Sequence, residues 1–333
     1  MINITSVVFS LIVVGIVLYF FKNKKLLSFN SSQQHTKNLD MFAADLTVQA
    51  KQGSIDPVIG REEEINRVTQ ILTRRTKNNV ILVGQPGVGK TAVVEGIAGR
   101  IASGDVPRVL SNKRVLLLQV AELLAGTKYR GEFEQRVKGI VQEIRNSNRS
   151  IILFIDEIHT ITQTKGTEGA VNLSDILKPA LARGDLQLIG ATTQKEYELY
   201  IHPDESWDRR FQVVAVDEPS SKESIKILQG IKKNYEEFHE VKISDDAVRA
   251  AVSLSKKYIK GRRLPDKAID IMDEAAAMVN VAKGSEHHPV AGILHAASKK
   301  SSEEKQTNIS TVTVTHIKEV VAEWANIKIT TIH

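Results

Sequence analysis

Gly84-Gln85-Pro86-Gly87-Val88-Gly89-Lys90-Thr91 matches the pattern G-x-x-x-x-G-K-[ST] in full, between an apolar run at 80–83 and an apolar stretch at 92–97. The glycines let the backbone curl so that successive N–H groups face inward as an anion nest, and a helix opening at Lys90 adds the positive end of its dipole. Lys90 then reaches the outer phosphates of a nucleotide, and the Thr91 hydroxyl can ligate Mg²⁺. The strand before the loop and the apolar helix after it separate this motif from a chance glycine-rich turn. Strand, phosphate-gripping turn and helix in that order belong to an α/β layer structure, so the motif constrains the fold as well as the ligand.

Ile151-Ile152-Leu153-Phe154-Ile155 is another continuous apolar run, as a strand covered on both faces requires, and it ends in Asp156-Glu157. Two carboxylates at the end of such a strand would be costly to bury unpaired. Asp156 is expected to act with Thr91 through Mg²⁺, and Glu157, on the opposite side of the strand end, to activate the attacking water. Strand signals at 80–83, 115–119, 151–155, 186–191 and 213–216 alternate with helical ones, the first beginning at Glu62 with Ile65, Val68, Ile71 and Leu72 on one face. Such alternation predicts a mostly parallel sheet with helices on both faces, filling a large domain at 46–218.

Three helical patterns follow Pro219, carried by Ile225, Leu228 and Ile231, by Val248, Val252 and Tyr258, and by Ile269, Met272, Ala276 and Val279. They predict a smaller helical domain at 219–283. Residues 284–310, rich in Ser, Lys, Glu and His, read as a mobile loop, and 311–333 as a last strand and helix.

The N-terminus is a compositional outlier. Residues 4–21 are eighteen consecutive uncharged side chains, and Lys22 is the first charge in the chain. At about 1.5 Å per residue that run reaches roughly 27 Å, enough for a bilayer core. A cleavable signal peptide fits poorly, because no basic residue precedes the run and no A-x-A site follows it. Residues 1–25 are therefore expected to be a single-pass transmembrane anchor. Lys22, Lys24 and Lys25 place the rest of the chain on the cytoplasmic side. The polar stretch 26–45 reads as a tether.

The net charge of +6 is partly these lysines and partly Arg74, Arg75 and Lys77, with no basic stripe interleaved with aromatics, so no nucleic acid partner is expected. Zero cysteines exclude disulfides and thiolate metal sites. Neither His287-His288 nor Phe238-His239-Glu240 has the spacing of a zinc protease site.

Asp56-Pro57-Val58-Ile59-Gly60-Arg61, the phosphate loop, Lys128-Tyr129-Arg130-Gly131-Glu132-Phe133 and Ile155-Asp156-Glu157 are followed by four further motifs. These are Lys178-Pro179-Ala180-Leu181-Ala182-Arg183-Gly184, Gly190-Ala191-Thr192-Thr193, Arg209-Arg210-Phe211 and Leu264-Pro265-Asp266-Lys267-Ala268. In this order the chain resembles, over about 45–283, the first ATPase ring of the Clp unfoldases of the AAA+ family. The resemblance implies an AAA+ P-loop fold with a helical lid, ATP and Mg²⁺ as cofactors, a homo-hexamer, and protein substrates threaded through a central pore. Val58, Ile59 and Gly60 would border the adenine, with Leu264 and Pro265 closing over it. Thr193 would sense the γ-phosphate, and Arg209 and Arg210 would reach a neighbour's nucleotide, where guanidinium groups neutralise developing charge. Lys128, Tyr129 and Arg130 would form the pore loop, whose aromatic grips a passing backbone with little sequence preference.

Several features depart from the family pattern. A second phosphate loop is absent, which predicts a single ring, and 202–208 replaces the usual acidic-alanine stretch before the arginines. The short 284–308 loop stands where relatives insert a coiled-coil domain, and the apolar N-terminus where they carry an adaptor domain. The tripeptide that docks a ClpP-like peptidase has no counterpart, so that partner is not expected. The reading is an ATP-hydrolysing, membrane-anchored protein unfoldase, with a non-threading assembly ATPase for a membrane complex as the alternative. A nucleotide-gated scaffold without turnover is disfavoured by the presence of both Asp156 and Glu157.

Overall fold

The computed structural model describes residues 36–125, 130–163, 173–285 and 310–332. The expected anchor, Lys128 and Tyr129 of the pore loop, and most of 284–310 lie outside the described residues. Six strands form one sheet: β1 (Ala43–Asp45), β2 (Asn79–Val83), β3 (Arg114–Leu118), β4 (Ile151–Ile155), β5 (Gln187–Thr192) and β6 (Phe211–Ala215). Their order is β1-β3-β4-β5-β2-β6, all neighbours parallel except the antiparallel pair β1 and β3.

Alternate strand residues feed two cores, as the period of two demands. Ile81, Val83, Leu153 and Ile155 pack with Val137, Ile140 and Ile144 of the helix Arg130–Asn146 and with Leu177 and Leu181 of Leu173–Arg183. Val80, Leu82, Ile152 and Phe154 face the other way, onto Val68 and Ile71 of Glu62–Leu72 and Val93, Val94 and Ile97 of Lys90–Ser103. Each such fully buried aliphatic side chain contributes about 1.5–3 kcal/mol. Burial on both faces explains why β2 and β4 are unbroken apolar runs. β2 lies between β5 and β6, while the next strand in sequence, β3, joins the sheet beyond β4 and β5. The crevice at such a crossover, at the carboxyl ends of the strands, is where open α/β sheets bind ligands.

Part of the expected tether is folded instead. Residues Lys37–Phe42 form a helix that buries Leu39 and Phe42, and Ala43–Asp45 is the β1 edge strand. The Glu143 carboxylate accepts hydrogen bonds from the Asn38 and Leu39 backbone N–H groups at 3.0 and 2.9 Å, and Arg114 pairs with Asp40 at 2.8 Å and Asp45 at 2.7 Å. With two apolar anchors and mostly polar contacts, this segment carries almost no periodic signal.

The lid begins at a capping box, where Ser220 and Glu223 exchange side-chain-to-backbone hydrogen bonds at 3.3 and 2.8 Å. Helices Ser221–His239, Asp245–Tyr258 and Asp266–Ser285 follow as anticipated. β7 (Lys242–Ile243), which the sequence does not signal, pairs in parallel with the expected last strand, β8 (Thr311–Val312). Residues from 311 onward are not a separate appendage: Val312, Ile317 and Val321 share one core with Leu228, Val248 and Met272. The helix Val314–Ala325 therefore completes the lid.

Candidate nucleotide site

The phosphate loop leaves β2 and doubles back into Lys90–Ser103 through Gly87 and Gly89, at φ +78° and +98°. These left-handed conformations favour glycine. A Cβ on Gly84 would collide with the Val216 carbonyl oxygen, and one on Gly87 would come within 2.8 Å of the Asp266 Cβ, so strand β6's end and the lid press on the loop from two sides. Lys90 is buried, and its ammonium donates to the Gly84 and Gln85 carbonyls at 3.0 and 3.1 Å. Burial lowers its pKa, against the upward pull of Glu157 and Asp156.

The Thr91 hydroxyl lies 3.5 Å from Asp156 Oδ2, and Asp156 Oδ1 accepts from the Glu157 N–H at 2.9 Å. A hydroxyl and a carboxylate, both oxygen donors of the kind Mg²⁺ takes, thus lie side by side. Glu157 itself adopts φ +49°, a strained conformation for a side-chain-bearing residue that costs on the order of 1–3 kcal/mol. That turn ends the strand and frees the carboxylate toward the crevice. Burial raises the Glu157 pKa, His159 opposes the shift, and Asp156 and Glu196 add to it. A raised pKa suits a group that must take a proton. Thr193, just past β5, donates its hydroxyl to Glu196 Oε2 at 2.8 Å, and the Gly84 N–H donates to the Thr192 carbonyl at 3.2 Å, joining this strand end to the phosphate loop.

A cavity of about 400 Å³ opens above Lys90 and Thr91. Val58 and Ile59 form one wall, as the sequence suggests, with Ile59 seated against the lid helix where a Cβ on Gly230 would collide with it. Pro265 of the lid also lines the cavity, together with Ile227, Ile231, Tyr235 and Ile269. Leu264 does not: it is buried in the lid core and carries its neighbour into place. Gly60, at φ +73°, turns the chain beyond Ile59 outside the cavity lining. An apolar wall, a glycine cradle, a buried ammonium and a hydroxyl-carboxylate pair fit ATP with Mg²⁺.

Arg61 closes the Asp56–Arg61 motif, and its sequence context alone assigns it no role. It is buried, and its guanidinium donates to the Val88 carbonyl at 2.6 Å, the Asp217 carbonyl at 2.9 Å and Glu64 at 2.6 Å. One side chain thereby ties the phosphate loop to the start of the lid. Glu218 makes the next link, accepting from the Leu264 N–H at 2.9 Å and from Arg263 at 3.1 Å. Burial alone would raise the Glu218 pKa, but these donors lower it. The missed signal was an arginine flanked by Gly60 and three glutamates, a pattern that also fits a solvated helix start.

Arg209 and Arg210 stand elsewhere. They precede β6, whose Phe211 registers with Asn79 at the beginning of β2, so they occupy the opposite end of the sheet from the phosphate loop. A five-residue strand separates the two ends by about 16 Å. Arg209 is exposed, and Arg210 donates to the Ala182 carbonyl at 3.1 Å. Neither lines the cavity of its own chain. Arg130 opens the helix Arg130–Asn146.

A family model described as "ATPase family associated with various cellular activities (AAA)" matches residues 80–215, and one described as "AAA lid domain" matches 220–322. The chaperone protein ClpB of Bacteroides thetaiotaomicron is 55% identical over 260 residues, 78% of this chain and 30% of that protein. The negative regulator of genetic competence ClpC/MecB of Bacillus subtilis is 55% identical over 251 residues, 75% of this chain and 31% of that protein. The chain thus spans less than a third of the curated relatives it matches. Among solved structures, the S. cerevisiae Hsp104-ADP complex gives a TM-score of 0.76 at 41% identity, covering 89% of this chain and 46% of that one. Hsp104 with ATPγS and FITC casein gives 0.74 at 41%, covering 87% and 46%. No helix among the described residues is long and apolar enough to cross a membrane. With one AAA model over the sheet domain and the other over its lid, this chain belongs to the AAA+ ATPases of the ClpB, ClpC and Hsp104 family.

Proposed function

We propose that the chain is one subunit of a homo-hexameric ring, anchored in a membrane by residues 4–21, that uses ATP hydrolysis to unfold or thread proteins at the cytoplasmic face. One observation carries the reading: Lys90, Thr91, Asp156 and Glu157 converge on one cavity while Arg209 and Arg210 stand at the other end of the sheet. A ring of heterologous contacts brings these two ends together between neighbours.

Lys90 and the loop N–H groups bind the phosphates, and Thr91 with Asp156 holds Mg²⁺. When bound, Mg²⁺ neutralises phosphate charge and aligns the terminal phosphoryl group. Glu157 accepts the proton of the attacking water. Thr193 lies at the adjoining strand end as the contact that distinguishes ATP from ADP. The lid meets the loop through Asp266, whose N–H points at the Gly87 carbonyl at 3.4 Å, so a change at the phosphates is passed to the lid. Through the ring, rotation of the lid against the sheet domain moves the Lys128-Tyr129-Arg130 segment, which grips the polypeptide. The relatives named ClpB as chaperones, and the Hsp104 structure with casein, support a protein substrate.

The test is full-length Glu157→Gln with ATP and FITC-casein, followed by fluorescence anisotropy. Retention of casein that is lost in Glu157→Gln/Tyr129→Ala supports threading. Retention that is indifferent to Tyr129 favours a non-threading assembly ATPase.

A further inference from the structure

Past the strained turn at Glu157, Ile158 packs onto Gly190, where any Cβ would collide with it, and its N–H donates to the Ala191 carbonyl at 2.9 Å. This pins the next residue, His159, between the ends of β4 and β5. The ring is buried and lies against Tyr200, with centroids 6.2 Å apart and planes inclined at 25°. Its two nitrogens face different groups. Nδ1 is 2.9 Å from Thr192 Oγ1 and 3.2 Å from Glu196 Oε2, while Nε2 is 3.4 Å from Glu157 Oε2. Glu196 Oε2 is also the oxygen that accepts from the Thr193 hydroxyl and N–H, at 2.8 and 3.2 Å.

Resting on the ATPase reading above, we propose that His159 is a positioning residue. Its imidazole bridges the Thr193-Glu196 capping box to the carboxylate of Glu157, so that the residue facing the terminal phosphate and the residue activating water move as one unit. The two carboxylates approach opposite ring nitrogens and do not converge on one, which fits a hydrogen-bonded chain better than the ligand set of a single ion. Tautomer logic explains the arrangement. A neutral imidazole donates from one nitrogen and accepts at the other, so a change in what Nδ1 faces alters what Nε2 offers Glu157.

Amide substitutions separate the two contacts. Asn at 159 reproduces the reach of Nδ1 toward Thr192 and Glu196 but falls short of Glu157; Gln reproduces the reach of Nε2. The measurement is steady-state hydrolysis of ATP with Mg²⁺ by the full chain, with nucleotide affinity determined separately by titration. His159→Asn should lower kcat by about tenfold to a hundredfold while affinity stays within about twofold, the signature of an interaction made only on the way to the transition state. His159→Gln should recover part of the rate. Glu196→Gln should slow the wild type but add little to His159→Asn, because the contacts act as one unit. Wild-type kcat in His159→Asn, or fully multiplicative losses in the double variant, would overturn the proposal. Glu157→Gln is the control: if it turns over normally, the ATPase assignment of Glu157 falls and the proposal with it, whereas a silent Glu157→Gln beside a normal His159→Asn refutes the proposal alone.

Discussion

Replacing Arg61 with alanine removes three hydrogen bonds from a buried cation, and their consequences differ. Glu64 retains some access to water and can be resolvated, whereas the Val88 and Asp217 carbonyls lose a charged donor in a closed environment. Hydrogen bonds to a charged group contribute about 1.5–3 kcal/mol each, and an uncompensated buried acceptor costs about 1–3 kcal/mol. Because both carbonyls share one donor the terms do not add fully, and a loss of about 3–5 kcal/mol is expected, in the range found when a buried pair is broken. Trp207 is fully buried in the sheet domain while Trp324 belongs to the lid, so urea unfolding in a Trp324→Phe background reports the large domain alone. The midpoint should fall at unchanged slope. Arg61→Lys should recover only part, since a single ammonium cannot span three acceptors. ATP affinity should weaken by about tenfold or more, because Val88 is the loop residue Arg61 holds. A loss under about 1 kcal/mol with unaltered nucleotide affinity would show that Arg61 does not organise the loop.

Lys90→Ala should weaken ATP binding while Glu157→Gln spares it and stops turnover; equal affinity in the lysine variant, or turnover in the glutamine variant, contradicts the separation of roles. The raised Glu157 pKa gives hydrolysis an acidic limb above the ordinary glutamate range, with activity lost as pH falls through that limb and Glu157 takes up its proton. The same shift makes the charged form a cost to the fold. Glu157→Gln should therefore stabilise the protein at neutral pH, with the gain declining as pH falls through the raised folded pKa and gone below the ordinary glutamate range, and a pH-independent difference in melting temperature would refute this. Residues 4–21 predict resistance to carbonate extraction with the ATPase open to protease on the cytoplasmic side, while a chain truncated before Thr36, which keeps the Lys37–Phe42 helix and its Glu143 contacts, should still bind ATP. Release of the intact chain by carbonate would remove the anchor from the account.

The central strands were legible because both faces are covered: a run such as 151–155 cannot be a half-exposed strand, and its closing carboxylates mark the crevice. The phosphate loop was legible because backbone torsions demand its glycines. Pairings whose signal lies elsewhere in the chain were not. The Lys37–Phe42 helix and β1 are held by Glu143 and Arg114, over a hundred and some seventy residues away, and look polar in isolation. The strand and helix from 311 are anticipated, but β7 is two residues, too short for any periodicity, so the membership of 311–332 in the lid emerges only from the β7–β8 pairing and shared burial. Leu264 illustrates a related confusion, since an apolar residue beside a ligand-lining proline reads the same whether it faces the cavity or the core.

The proposed division of the active site between neighbours is open to one decisive measurement. Arg209→Ala/Arg210→Ala subunits keep an intact Glu157, and Glu157→Gln subunits keep intact arginines, so each alone should be nearly silent. In an equal mixture about a quarter of the junctions pair a working glutamate with a neighbour's arginines, and ATP hydrolysis should reappear in that proportion. A mixture as silent as its components, or a monomer that hydrolyses ATP at the full rate, would contradict the account.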